Sequence, residues 1–200
     1  MGVAVSGQGS NLRNLVEHGF NVVAVATNRP SCGGAVFARE TGIPLGELSQ
    51  KSFGSSEDRD AAMADFFLKH GVELIVDAGY DRVHSQAFLE AFEDRIINVH
   101  PSLLPEFGGG MDAVERALES GAKVTGATVH IVTGNLDAGP ILVQEEVPVL
   151  ESDTVETLLH RVHEAEYRIL PQAIRLMEAR VAPGARRAQM RWARAGRKFR

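Results

Sequence analysis

The sequence predicts a doubly wound α/β fold with a mostly parallel sheet, and three observations carry that expectation. Short apolar segments alternate with helical patterns along most of the chain, which places parallel strands between layers of helices. The segment Glu73-Leu74-Ile75-Val76-Asp77 is mostly apolar, as a strand covered on both faces should be. The first strand enters a glycine turn that opens a helix, which makes the N-terminal half Rossmann-like.

Taken in order, Val3-Ala4-Val5-Ser6 forms the first strand. It is short, so a few native residues are expected to precede Met1. Gly7-Gln8-Gly9-Ser10-Asn11 makes the turn, and a helix follows from Leu12 to about His18. A second strand over 21–26 stops before Thr27-Asn28-Arg29-Pro30, because proline cannot continue the ladder. A helix over 34–41 ends at Gly42. Ser56 is expected to cap a long helix reaching His70, closed by Gly71. A strand over 73–77, a helix over 85–92 and a strand over 95–99 come next, then a helix over 111–120. Residues 123–132 and 141–149 form a final strand pair. The last helix covers 153–178, with Leu158, Leu159, Val162, Ile169 and Leu170 on one side. Neither an internal repeat nor a linker interrupts this pattern, so residues 1–180 are expected to form one domain.

Composition narrows the function classes. The 200 residues fit one α/β domain, and 44% hydrophobic content is enough to build its core. A net charge of −5 argues against nucleic acid as the main partner. Residues 181–200 are the exception, with Arg186, Arg187, Arg191, Arg194, Arg197, Lys198 and Arg200 and no acidic residue. This stretch is expected to be a flexible, solvated basic tail. The single cysteine, Cys32, excludes an intramolecular disulfide and fits a reducing compartment. With no apolar run of membrane-spanning length and no charged segment preceding an apolar one at the start, a cytoplasmic protein that uses no membrane is expected.

The glycine turn leaves three alternatives open. A dinucleotide site would need a third glycine where Leu12 stands, and a carboxylate where the second strand ends in Thr27-Asn28. Arg29 keeps an NADP-type reading open. A monophosphate held by backbone N–H groups of Gly9, Ser10 and Asn11 at the helix start is the second reading, and a structural turn the third.

The densest chemistry lies in Asn98-Val99-His100-Pro101-Ser102-Leu103-Leu104-Pro105, at the carboxyl end of a predicted buried strand, where open α/β sheets bind ligands. Residues two apart on a strand face the same way, so Asn98 and His100 project together, an amide donor beside a proton carrier. The prolines stiffen the segment that follows. A second block, Gly126-Ala127-Thr128-Val129-His130 followed by Asn135-Leu136-Asp137-Ala138-Gly139-Pro140, places Asp137 in a glycine- and proline-bounded loop. Asp137 also fits an Asx-turn residue, and His130 a core-facing strand residue.

Gly-x-Gly-Ser-Asn, Asn-x-His-Pro-Ser-Leu-Leu-Pro and Thr-Val-His…Leu-Asp-x-Gly-Pro, in this order and spacing, resemble the phosphoribosylglycinamide formyltransferase family from Val3 to about Pro171. The resemblance implies a formyltransferase fold and a one-carbon transferase that moves the formyl group of 10-formyltetrahydrofolate to the amine of glycinamide ribonucleotide. It implies Asn98, His100 and Asp137 as the catalytic trio. Asn98 and a protonated His100 would donate to the oxygen of a tetrahedral intermediate, and Asp137 would raise the histidine pKa and order a proton-relaying water. Gly9, Ser10, Asn11, Leu12 and Arg13 would hold the substrate phosphate, and Glu166 the ribose or glycinamide end. Folate would lie against Arg59, Asp81, Arg82, Val83, His84, Asn98, Thr133, Gly134, Asn135, Leu136 and Asp137.

No metal is implied, and His160 and His163, though spaced to share a helix face, lack further ligand candidates. A monomer or homodimer is expected. Two departures from the family pattern stand out: the triple glycine Gly108-Gly109-Gly110 in the loop from Glu106 to Met111, expected to make that loop mobile, and Asp81 where an apolar residue is usual. The alternatives are a methionyl-tRNA formyltransferase-like enzyme, a formyltetrahydrofolate hydrolase, and an NADP-binding Rossmann oxidoreductase. The first would normally need a C-terminal RNA-binding domain, for which no room is expected here, and the second usually carries an N-terminal regulatory domain, expected to be absent because the fold starts at Val3.

Overall fold

The computed structural model describes residues 1–181, so the expected basic tail lies, from residue 182 onward, outside the described residues. Seven strands form one mostly parallel sheet in the order β3-β2-β1-β4-β5-β6-β7. By backbone contacts the chain divides into two compact units, Met1–Ile96 with the end of the last helix from Met177, and Ile97–Leu176.

The first unit carries the parallel part. Strand β1 (Gly2–Val5) pairs in parallel with β2 (Ala24–Thr27) and with β4 (Ile75–Asp77), Val3 lying opposite both Val25 and Val76. Strand β3 (Leu45–Glu47) adds to β2, with Gly46 beside Ala26. Helices α1 (Ser10–Glu17), α2 (Gly33–Glu40), α3 (Ser56–Lys69) and α4 (Gln86–Ala91) alternate with these strands. Val3, Ala4, Val5, Val25 and Ile75 are fully buried, as are Leu12, Leu15, Met63 and Phe67 on the helices. Each large side chain in that set stabilises the fold by about 1.5–3 kcal/mol relative to exposure.

Two local features differ from expectation. Ser55, not Ser56, caps α3: in extended backbone its hydroxyl accepts from the Asp58 N–H at 3.0 Å, while Glu57 and Asp58 complement the helix dipole. Strand β3 was not foreseen, because three residues that include glycine and glutamate carry no strand periodicity. Pairing with β2 creates it, and Gly46 is needed there, since a Cβ would come within 2.9 Å of the Phe66 ring.

The second unit is antiparallel. Strand β5 (Ile96–His100) pairs with β6 (Val124–Ile131), and β6 with β7 (Ile141–Pro148), with a register irregularity between Val129 and His130. Helix α5 (Ala113–Glu119) precedes β6, and α6 (Val155–Val181) ends the described chain. Leu158, Val162, Ile169 and Leu170 on α6 are buried as the helical period requires, whereas Leu159 is only half-buried. Among the described residues no helix is long and apolar enough to cross a membrane.

Candidate active site

The second unit assembles Asn98, His100 and Asp137. Asn98 and His100 sit two apart on β5 and share a face, and the antiparallel register sets Asn98 opposite His130 and His100 opposite Thr128. Asn98 Nδ2 is 3.1 Å from His130 Nε2, and His130 Nδ1 is 3.1 Å from the Ile131 carbonyl. These partners are satisfied together when His130 carries its proton on Nδ1, donates to Ile131 O, and accepts from the Asn98 amide at Nε2. One amide hydrogen of Asn98 is then used for orientation and the other stays available to a ligand.

Asp137 completes the group. Its Oδ2 lies 3.7 Å from His100 Nδ1 and its Oδ1 3.6 Å from His130 Nε2, while Oδ2 accepts from the Gly109 N–H at 2.8 Å. The residue sits in the left-handed region at φ 51°, which Asp tolerates better than most side chains. The chain can turn there because Gly139 follows: a Cβ on it would stand 1.8 Å from the Ile131 carbonyl oxygen.

Burial and charge oppose one another at His100. The imidazole is 5% exposed, and burial pushes its pKa below the ordinary histidine value although Asp137 pulls it upward. The net direction is therefore opposite to the one expected from the Asp137 charge alone. For Asp137, partial burial raises the carboxyl, but the neighbouring His130 ring, the hydrogen bond from the Gly109 N–H and the charge of His100 outweigh it and hold it below the usual value. His100 Nε2 lies 3.2 Å from Phe107 O and donates to it. The proton that His100 gains or loses is then the one on Nδ1, the nitrogen facing Asp137, so the ring can pass a proton while staying in place.

The loop beyond β5 is fastened, contrary to the expectation drawn from its glycines. Thr128 Oγ1 donates to Ser102 O at 2.7 Å and accepts from Leu104 N at 3.1 Å, and Gln144 Nε2 reaches Leu104 O at 2.9 Å. Phe107 O accepts from both His100 and Arg116, Gly108 O accepts from Arg116 at 2.9 Å, and the Gly109 N–H is taken by Asp137. The glycines supply backbone shape here, Gly109 with φ 83°, and side chains on three other elements hold that shape.

In the first unit, Gly9 stands at the start of α1 with φ 76°, and no side chain caps the helix. Its position is locked by close approach, since a Cβ would lie 2.4 Å from Gly34 Cα, and Gly34 N donates to Gly7 O at 3.1 Å. Ser10 is half-buried, Asn11 and Leu12 are buried, and the Arg13 guanidinium lies 4.5 Å from the Phe37 ring centroid. Uncapped N–H groups at a helix start form an anion-binding geometry.

The remaining residues expected at the site are distributed as follows. Arg59 is 2% exposed and committed internally: it bonds Asp60 Oδ1 through Nε and Nη2 at 2.9 and 2.6 Å, and Gln50 at 2.9 Å. His84 is buried, with Nε2 2.9 Å from Asp77 Oδ2 and its ring stacked between Tyr80 and Phe88. Val83 projects with 67% exposure, and the half-exposed Arg82 lies 3.5 Å from Asp81. Thr133, Gly134, Asn135 and Leu136 are exposed on the loop leading to Asp137, with Thr133 Oγ1 donating to Asn135 O at 3.2 Å. Glu166 is 4% exposed on α6. His160 pairs with Glu164 at 3.5 Å, and no group of three or more metal-ligating side chains forms among the described residues. His130 was left out of the expected site, although its register opposite Asn98 makes it the group that orients the amide.

A formyl transferase family model matches residues 1–174. A phosphoribosylglycinamide formyltransferase of Haemophilus influenzae is 35% identical over 179 residues, covering 86% of this chain and 84% of that protein. A trifunctional purine biosynthetic protein adenosine-3 of Gallus gallus is 42% identical over 189 residues, 92% of this chain but only 18% of that protein. The chain thus spans less than a fifth of the trifunctional relatives that it matches. Among solved structures, glycinamide ribonucleotide transformylase 1 from Symbiobacterium toebii superposes with a TM-score of 0.84 at 43% identity, covering 88% of this chain and 85% of that one. The phosphoribosylglycinamide formyltransferase of Streptococcus pneumoniae does so with a TM-score of 0.84 at 34% identity, over 88% and 97% of the two chains. On this evidence the chain belongs to the formyl transferase family.

Proposed function

We propose that the chain transfers the formyl group of 10-formyltetrahydrofolate to the amine of N1-(5-phosphoribosyl)glycinamide, a step of purine biosynthesis, and that residues 1–180 act as its catalytic domain. The observation that carries this reading is the cluster of Asn98, His100 and Asp137, with Asp137 Oδ2 3.7 Å from His100 Nδ1 and the Asn98 amide oriented by His130. Acyl transfer to an amine places negative charge on the former formyl oxygen. An oriented amide N–H and an imidazole that takes up a proton beside a carboxylate are suited to meet that charge.

In this reading Asn98 donates its second amide hydrogen to the developing oxyanion. His100 stabilises the same oxygen in its protonated form, which Asp137 favours electrostatically. Once the amine has attacked, its surplus proton leaves toward the folate nitrogen with His100 and Asp137 as the groups that hold or relay it. The backbone of Gly9, Ser10, Asn11 and Leu12, with Arg13, takes the phosphate, and Glu166 the ribose or glycinamide end. For folate the residues proposed are Arg59, Asp81, Arg82, Val83 and His84 of the first unit, with the exposed Arg82 for its carboxylate, and Asn98 and the loop from Thr133 to Asp137 of the second. Both substrates are small molecules, no metal takes part, no nucleic acid is bound, and the enzyme works in the cytoplasm as a monomer or homodimer.

The test follows the absorbance change as 10-formyltetrahydrofolate loses its formyl group, with and without glycinamide ribonucleotide, on wild type and His100→Ala. The expected result is turnover that requires the ribonucleotide and collapses in the variant. Folate turnover without the ribonucleotide would assign a hydrolase instead, and no turnover in either condition would sink the reading.

A further inference from the structure

We infer that Asp81 is a positioning residue: its carboxylate fastens the segment 79–84 to the ends of β1 and β2, and so holds that segment in the shape that receives the folate. The substrate half of this inference rests on the reaction proposed above; the fastening does not.

Asp81 Oδ1 accepts from Asn28 Nδ2 at 2.7 Å and lies 3.0 Å from Ser6 Oγ, while the Asp81 N–H donates to the same Ser6 oxygen at 3.0 Å. Ser6 Oγ is also 2.6 Å from Asn28 Oδ1, the closer acceptor for its single proton, so a ring of hydrogen bonds runs from Ser6 to Asn28, from Asn28 to the Asp81 carboxylate, and from the Asp81 N–H back to Ser6. Oδ2 pairs with Arg29, and Arg82 Nε stands 3.5 Å from Oδ1. Ser6 follows β1, Asn28 and Arg29 follow β2, and Asp81 follows β4, so one carboxylate ties together the exits of three neighbouring parallel strands. Ser6 and Asn28 are 5% and 7% exposed, and the Asp81 side chain 13%, which shields these bonds from water.

The chemistry of the carboxylate agrees. Partial burial would raise the Asp81 pKa, but bonds from Asn28 and Ser6 and the charges of Arg29 and Arg82 outweigh it, so the group stays ionised well into the acid range. The segment is held elsewhere too. Ser85 N donates to Asp60 at 2.5 Å, His84 bonds Asp77, and Arg59 reaches Val83 O at 3.4 Å. At the other end Ser6 N donates to Gly79 O at 3.1 Å, so with both flanks fixed, removing Asp81 frees the middle of the segment and leaves the rest of the unit intact. An apolar residue at this position could accept none of these bonds and would leave Asn28 and Ser6 to each other. A segment ordered before its ligand arrives binds more tightly than one that must be ordered on binding.

Hydrogen exchange and steady-state kinetics on wild type, Asp81→Ala and Asp81→Asn test the inference. In Asp81→Ala the amides of 79–84 should exchange at least about tenfold faster, while those of β5 and β6 do not change. KM for 10-formyltetrahydrofolate should rise about tenfold with kcat within about threefold, the split expected when binding and not chemistry is lost. Asp81→Asn keeps an acceptor for Asn28 and should fall between the two, which also decides the matter if the alanine variant does not fold. Unchanged exchange in both variants overturns the fastening. Faster exchange with an unchanged folate KM, or a loss confined to kcat, overturns the positioning role. Absence of folate turnover by wild type would refute the assigned reaction and the substrate half of the inference, while exchange alone still judges the fastening.

Discussion

Replacing Asp137 with Asn isolates the charge at the centre of the site. The amide oxygen can still accept from Gly109 N–H, now at 2.8 Å, and asparagine adopts the φ of 51° as readily as aspartate does. What disappears is the interaction between a carboxylate and a protonated His100 at 3.7 Å. Two unit charges at that separation interact by about 4 kcal/mol at an effective dielectric of about 20. Solvent reaches the half-buried carboxylate and weakens this; if about half survives and acts only on the transition state, the rate falls about 30-fold. The formyl-transfer assay should therefore show kcat lower by about 30- to 1000-fold, the upper end corresponding to loss of an oxyanion partner, with both KM values within about threefold. A variant whose kcat stays within about threefold of wild type would refute the electrostatic role, and so would a loss that appears only in KM.

A limb of the kcat profile should follow His100: burial holds its pKa below the ordinary histidine value, so the limb should lie on the acid side of the free-imidazole range, and Asp137→Asn should move it further toward acid because burial is then unopposed. A profile that does not shift in the variant would contradict this. Gly9→Ala forces a Cβ to within 2.4 Å of Gly34 Cα at a φ of 76°, so thermal or urea unfolding should show a loss of about 2–4 kcal/mol from strain and overpacking together. A loss below about 0.5 kcal/mol, the range of a neutral surface change, would mean the loop relaxes freely. His84→Phe keeps the ring stack but leaves Asp77 buried without its partner, and should destabilise by about 3–5 kcal/mol, whereas adding Asp77→Leu should recover most of that. Burial alone would lower the His84 pKa, but the charge and hydrogen bond of Asp77 raise it. The pair's contribution is therefore complete below the unfolded histidine pKa and lost as pH rises through the folded one, which urea midpoints measured against pH would reveal.

The legible parts of the sequence were those whose geometry is local. Asn98 and His100 share a face because strand residues two apart always do, and Asp137 stood out because glycine and proline bound its loop. Helix α3 was legible from its cap and terminal glycine, with an error of one residue in the cap. What escaped depends on pairings between distant segments. His130 orients Asn98 only because 32 residues separate them in sequence while the antiparallel register brings them together. Strand β3 exists through β2, and Asp81 bonds a serine 75 positions earlier. The glycine run at 108–110 misled because composition reports the freedom of an isolated loop, whereas here His100 and Arg116 on the flanking elements and the distant Asp137 remove it.

The opposition at His100 has a consequence for how such a site would accelerate acyl transfer. An imidazole that Asp137 had already protonated would form a settled ion pair with the carboxylate, and an incoming anionic centre would gain little from it. Here burial wins, so the protonated ring is disfavoured relative to an ordinary histidine although its Nδ1 side faces a carboxylate 3.7 Å away. The proton becomes favourable only when further negative charge develops nearby, as on a formyl oxygen under attack. Stabilisation is then larger in the transition state than in the ground state, which is the condition for raising kcat instead of merely tightening binding. The fixed partners serve that end: His130 keeps the Asn98 amide aimed, and Phe107 O and Gly109 N hold His100 and Asp137 at their spacing, so little reorganisation is needed as the charge appears.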